Sequence, residues 1–191
     1  MIKPLKNNLV LHRNFYFNAL FLSFGIIFSI SISMTYFGRH YQIMIDPQVD
    51  KCLPDKTIYL VDLSDREPEK GIPFAFRAKG ISTYIEQASP VIQDLIPYYR
   101  DGKNILKMVD GVPGDKVQVT EKEVIINGEN TGLGGLLLYK TLQKKLSYFT
   151  KEYTLDKGKY FLAGRTNNSF DSRYWGPVDK TQIIGKAYAI F

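Results

Sequence analysis

From residue 14 to residue 38 the chain carries no charged side chain, and Ala19 to Phe37 is almost wholly apolar. This run constrains the molecule more than any other stretch. A helix rises about 1.5 Å per residue, so about twenty residues cross a hydrocarbon core of about 30 Å. Phe15, Tyr16 and Phe17 flank one end and Tyr36 and Phe37 the other, as expected for rings seated at the two interfaces. The run exceeds the apolar core of a cleaved leader, and no small-x-small site ends it, so it reads as a transmembrane helix over 14–38. Lys3, Lys6 and Arg13 precede it and only Arg39 follows closely. That excess keeps residues 1–13 cytoplasmic and exports 39–191. In a bacterium the chain would cross the inner membrane once, with its C-terminal domain in the periplasm.

The formal charge of +6 comes from 25 basic and 19 acidic residues. Residues 1–39 hold four of the basic residues and no acid, which leaves 21 against 19 for the rest. A nucleic-acid binder carries a basic patch on its folded domain, so this balance speaks against one. Cys52 is the single cysteine, and no intrachain disulfide can form. In an oxidising compartment such a thiol is either buried and inert or kept for its reactivity. His12 and His40 each stand without a Cys or His partner at ligand spacing, so neither a metal nor another cofactor is expected.

Beyond the span the pattern is mainly β, with helical insertions. Thr57–Asp62 reads as a strand with Pro54 stiffening its approach, Ser64–Lys70 as a loop, and Phe74–Arg77 as a short strand. Ile81, Ile85, Ala88, Ile92, Leu95 and Tyr99 recur at helical spacing, and Ser89 before Pro90 reads as an N-cap, which predicts two short helices. Asn104–Asp110 is a strand, Val117–Thr120 and Glu123–Ile126 form a hairpin-like pair, and Asn127-Gly128 is a strong turn signal. Leu138, Leu142, Leu146 and Phe149 then share a helical face, with Lys140, Lys144, Lys145 and Lys151 largely elsewhere. That face rests either on the sheet or on an anionic membrane surface. Lys159–Ala163 and Ile183–Phe191 close the domain.

Lys107 is anomalous in this pattern. Alternation puts it on one face with Ile105 and Val109, while Leu106 and Met108 point the other way, so its amine is desolvated on either packing. Desolvation lowers a lysine pKa and makes a general base near neutral pH; the alternative is a stem snorkelling along a sheet edge.

Lys107 opens the run KMVDGVPGD, ending at Asp115, which resembles the K-R-V-x-G-x-P-G-D box of type I signal peptidases. Asn168 to Pro177, NSFDSRYWGP, resembles their N-S-x-D-S-R-Y-W-G box. Lys70 to Phe76 is similar to a weakened G-D-I-V-x-F strand, and Gly185-Lys186-Ala187 matches the closing G-K-A. The phenylalanine in S-F-D-S-R-Y and the insertion lengths are similar to the TraF-type branch, the conjugal-transfer signal peptidases that mature pilins. The resemblance covers most of 43–191. It implies a signal-peptidase-like antiparallel β domain, a serine nucleophile in S-L-P or S-M-P, and a neutral lysine that takes its proton.

The matching tripeptide here is Cys52-Leu53-Pro54, and Ile43–Asp62 contains no serine. A thiol ionises near pH 8.5 and a lysine near 10.4, so the pair exchanges a proton more readily than serine and lysine. Either a Cys52 thiolate beside a Lys107 ammonium or a thiol beside a neutral amine satisfies this. The resemblance makes Ser169 the residue that orients Lys107, and Asp171 with Arg173 a structural ion pair. It puts Asp50 where the family offers an oxyanion-stabilising serine. The implied substrate is an exported precursor, a conjugative pilin, and the implied partners are the inner membrane and proteins of a conjugation apparatus. The competing reading is an inactive relative serving as a structural subunit of a secretion channel.

Overall fold

The computed structural model describes residues 6–46, 52–53, 56–85 and 96–190. Asp50, Pro54, the Ser89-Pro90 cap and the periodic positions Ala88, Ile92 and Leu95 lie outside the described residues. The chain divides into two compact units, one ending at His40 and one starting at Tyr41.

The first unit is one helix, α1, Lys6–His40. Within it Phe15–His40 is long and apolar enough to cross a membrane, with a mean hydropathy of 1.9 over an 18-residue window. The helix runs past both ends of the span expected from the sequence. Its hydroxyls are satisfied along the helix itself: Ser23, Ser31 and Thr35 each donate to the carbonyl four residues back at 2.8 Å. Such back-bonding removes the cost of carrying hydroxyls through an apolar phase.

The second unit is built on antiparallel sheets. The larger joins β1 (Tyr41–Ile45), β2 (Ile58–Asp62), β3 (Pro73–Arg77), β4 (Asn104–Gly111), β9 (Lys159–Ala163), β10 (Val178–Asp179) and β11 (Ile183–Ala189) in the order β1-β2-β11-β3-β4-β9-β10. The smaller joins β5 (Lys116–Val119), β6 (Glu123–Ile126), β7 (Glu129–Gly134) and β8 (Lys151–Thr154) in the order β7-β6-β5-β8. A large apolar core takes Phe74, Phe76, Ile105 and Val109 from one sheet and Val117, Val119, Val124 and Ile126 from the other. A second, smaller core holds Leu53, Tyr59, Val61, Ala75 and Ala187, with Leu106 and Met108 packed against it. β4 therefore runs between two cores, and its alternation is the one read from the sequence.

Local chemistry accounts for the turns. Asn127 and Gly128 both have positive φ, 53° and 85°, the geometry of a tight hairpin turn joining β6 to β7. Gly111 ends β4 at a register shift against β9. A Cβ there would sit 2.8 Å from Leu155 Cδ1 and 3.0 Å from Phe161 Cβ, so close approach is what requires glycine.

Among the described residues, the insertion between β3 and β4 holds a 3-10 turn, Ser82–Tyr84, and a four-residue helix, α2, Ile96–Tyr99. The leucine-rich segment after β7 is turns followed by a short helix, α3, Leu146–Phe149, in place of one continuous helix. Gln143 adopts φ 54°, which breaks the helical run. The apolar face is nonetheless used as core, since Leu142 and Phe149 are fully buried.

Candidate active site

Three side chains far apart in sequence meet at the end of the large sheet. Lys107 is carried by β4, opposite Phe74 of β3. Ser169 lies in the loop between β9 and the short helix α4, Ser172–Trp175. Cys52 lies in the segment before β2. The Lys107 amine donates to Ser169 Oγ at 3.1 Å, and the Ser169 hydroxyl donates to Cys52 Sγ at 3.5 Å. The Cys52 sulfur also acts on the amine directly, as an acceptor that favours the ammonium. Lys107 is 1% exposed, Ser169 2% and Cys52 6%. The donors run in one direction, from the Lys107 amine to the Ser169 hydroxyl and from that hydroxyl to the Cys52 sulfur, which accepts.

The charge on Lys107 differs from the expectation that desolvation would lower its pKa. Burial does push the amine down, but Tyr99, Cys52 and Asp171, together with the Cys52 hydrogen bond, outweigh it and hold the amine above the ordinary lysine value.

The loop carrying Ser169 is fixed by a buried ion pair. Arg173 Nη2 meets Asp171 Oδ2 at 2.7 Å with both side chains fully buried. Asp171 also accepts from the Gly164 N–H at 2.9 Å, and Arg173 donates to the carbonyls of Gly134, Thr166 and Ser169. Burial pushes the Arg173 pKa down, but its bonds to Asp171 outweigh this and raise it. Gly164, which the sequence reading passed over, lies directly under the site. A Cβ on it would come 2.7 Å from Ser169 Cβ and 3.1 Å from Cys52 Cβ, and nearer still to Ser169 Oγ. A lone glycine outside a recognised turn carries no signal of this kind in sequence.

A second pair anchors the loop to β4. Arg165 meets Asp110 at 3.0 Å, and Asp110 is raised above its usual carboxylate value because burial outweighs the Arg165 bonds. At the far end of the lysine strand, Asp115 accepts from the Val112 N–H at 2.7 Å and from Asn127, and pairs with Lys70 at 2.8 Å. Burial opposes its ionisation, but these bonds prevail and hold its pKa low. The aspartate closing the KMVDGVPGD run is therefore a turn clamp.

A cleft of about 80 Å³ opens beside Cys52 and Lys107. Met44, Ile45 and Asp46 form one wall and Asn104, Ile105 and Leu106 of β4 another, with Tyr59, Tyr98 and Tyr99 between. Val109 exchanges backbone bonds with Gly71 and Ile72 on the β3 side. Alternation turns the backbone groups of Met108, Leu106 and Asn104 the other way, where β9 pairs only as far as Ala163 opposite Met108. Beyond it the Arg165 N–H donates to the Cys52 carbonyl at 2.6 Å. Among the described residues, Asn104–Leu106 thus presents an open strand edge to the cleft. No group of three or more His, Cys, Asp or Glu able to hold a metal occurs among the described residues.

Compared with known protein families, residues 16–191 match the one described as "Signal peptidase, peptidase S26". The chain belongs to the peptidase S26 family. Among curated S26 relatives, Signal peptidase I of Pseudomonas aeruginosa is 32% identical over 122 residues, covering 46% of this chain and 43% of that protein. Signal peptidase I V of Bacillus subtilis is 30% identical over 95 residues, covering 44% and 56%. Thylakoidal processing peptidase 1 of Arabidopsis thaliana is 26% identical over 141 residues, covering 72% and 40%. The chain spans about half the length, or less, of these relatives. A crystal structure of a signal peptidase I from Enterococcus faecalis matches at 23% identity and a TM-score of 0.36, covering 64% of this chain and 97% of that one.

Proposed function

We propose that this S26 member is a membrane-anchored signal peptidase, of the TraF-type branch, that cuts the leader from an exported precursor with a Cys52–Lys107 pair. The observation that carries the reading is the buried chain of contacts from Lys107 through Ser169 to Cys52, 3.1 and 3.5 Å, beside a cleft with an open strand edge. Serine at the thiol's place would need the lysine to take a proton during attack. Cysteine, with its lower intrinsic pKa, allows that transfer beforehand.

The steps balance on the chain's own groups. Extended substrate adds along Asn104–Leu106, its backbone completing the open edge. The Cys52 thiolate attacks the scissile carbonyl, and the oxyanion faces the Cys52 backbone N–H. As the carbon–nitrogen bond breaks, the Lys107 ammonium gives its proton to the leaving amine, leaving a thioester and a neutral lysine. Lys107 then takes a proton from water as water adds to the thioester, and collapse returns the thiolate and ammonium. Ser169 keeps the amine aimed throughout.

α1 would hold the enzyme in the bacterial inner membrane, with residues 1–13 cytoplasmic and the catalytic unit periplasmic. The substrate would then be an exported precursor such as a conjugative pilin, met beside conjugation-apparatus proteins. Processing of such a precursor by the full chain in proteoliposomes tests the reading. Cys52→Ala should abolish cleavage and Cys52→Ser should restore part of it. Intact processing by Cys52→Ala would refute the assignment and leave the alternative of a non-catalytic channel subunit.

A further inference from the structure

Tyr99 lies outside both boxes that resemble the signal-peptidase pattern, in the insertion between β3 and β4, yet its ring stands 6.0 Å from the Lys107 amine. It is 3% exposed and lines the cleft beside Cys52. Its ring meets Phe170 edge-on at 5.2 Å and Trp175 at 6.0 Å, and Phe170 meets Trp175 edge-on at 4.8 Å. Phe170 directly follows Ser169, so one aromatic stack holds both the lysine's surroundings and the loop that supplies its hydroxyl partner. A buried ammonium needs compensation on every side. Ser169 and Cys52 supply it on one side, and an aromatic face supplies it without a charge of its own.

We propose that Tyr99 is a positioning residue: its ring, locked by Phe170 and Trp175, holds the Lys107 amine in the cationic form and aimed at Ser169 and Cys52. The proposal rests on Cys52 and Lys107 acting as a pair, and it assigns to the insertion α2 a part in the site that the motifs do not carry.

The sign follows from the pair. With thiolate and ammonium as the one-proton state, a weaker hold on the ammonium leaves the loss of the thiol proton unchanged and makes the lysine proton easier to lose. Titration of Lys107 is read on the full chain in detergent micelles, by competitive acetylation with acetic anhydride across alkaline pH and quantification of the Lys107 peptide by mass spectrometry. Tyr99→Leu should move the midpoint down by about half to one pH unit, the size of a desolvated cation–ring attraction. Tyr99→Phe, which keeps the ring, should stay within about 0.2 unit. Phenylalanine carrying one, two and three ring fluorines at position 99 keeps the packing while draining the ring face. It should lower the midpoint stepwise, even if Tyr99→Leu does not fold. Trp175→Leu, which loosens the stack but keeps the Tyr99 ring beside the amine, should move the midpoint clearly less than Tyr99→Leu does.

Equal midpoints across the fluorine series would overturn the proposal, as would a Trp175→Leu shift as large as that of Tyr99→Leu, or a Tyr99→Phe shift as large. Because the readout uses no substrate, failure to cleave any precursor would refute the proposed function without touching this result. A flat fluorine series would refute the role of Tyr99 and leave the peptidase reading standing.

Discussion

Gly164→Ala tests how tightly the site is assembled. The added Cβ would lie 2.7 Å from Ser169 Cβ and 3.1 Å from Cys52 Cβ, whereas non-bonded carbons settle at about 3.5–4.0 Å. Something must give by about half an ångström or more. The backbone cannot easily do so, because the Gly164 N–H is held by Asp171 at 2.9 Å and the Arg165 N–H by the Cys52 carbonyl at 2.6 Å. The Ser169 side chain moves instead, which breaks its 3.1 Å contact with Lys107 and its 3.5 Å contact with Cys52. Overpacking of this kind costs about 1–3 kcal/mol, and a catalytic group misplaced by about 1 Å costs about 100-fold in rate. Denaturant unfolding gives the first quantity and single-turnover cleavage of a precursor the second. Ser169→Gly removes the Ser169 Oγ and Cβ and leaves only the 3.1 Å approach to Cys52 Cβ, so the double variant should recover about 1 kcal/mol or more of the stability lost by Gly164→Ala, without recovering the rate. A Gly164→Ala enzyme with wild-type stability and rate, or a double variant that is simply additive, would refute the packing argument.

Lys107→Met should keep the fold, since an apolar chain of similar volume replaces a buried cation, and should lower the cleavage rate by about 10²–10⁴-fold in a single-turnover assay. Asp171→Asn removes the anion that Arg173 and the Gly164 N–H share, and should cost about 3–5 kcal/mol in urea unfolding. Asp115 has a folded pKa below its ordinary value, so it stabilises the fold above the usual carboxylate range and loses that contribution as pH falls through its folded pKa. Stability followed against pH should therefore decline less on the acid side in Asp115→Asn than in the native chain. An identical acid limb in the two proteins would count against the clamp.

Where local rules act alone, the sequence was a sufficient guide. The alternation of β4, the Asn127-Gly128 turn and the strands β2, β3 and β9 follow from side-chain period and turn chemistry, and the folded chain keeps them. The leucine segment was legible in part. Its apolar positions do reach the core, but Gln143 at positive φ turns the chain there, a choice made by packing against the sheet and invisible to periodicity. The expected downward pKa of Lys107 followed from burial alone. It failed because the opposing groups come from Cys52, Tyr99 and Asp171, 55, 8 and 64 positions away along the chain.

Sequence by itself determined that residues 14–38 form an apolar helix, that Lys107 points into a core, and that Cys52 is the single thiol of the chain. Each of these is a property of a short stretch, fixed by which side chains adjoin in the chain. Only the tertiary structure decided that Lys107, Ser169 and Cys52 lie in hydrogen-bond succession, that Gly164 leaves the room for them, and that Tyr99 backs the amine. Those facts depend on distances across a closed sheet and a loop tied down by the Asp171–Arg173 pair, and a linear pattern carries no measure of such distances.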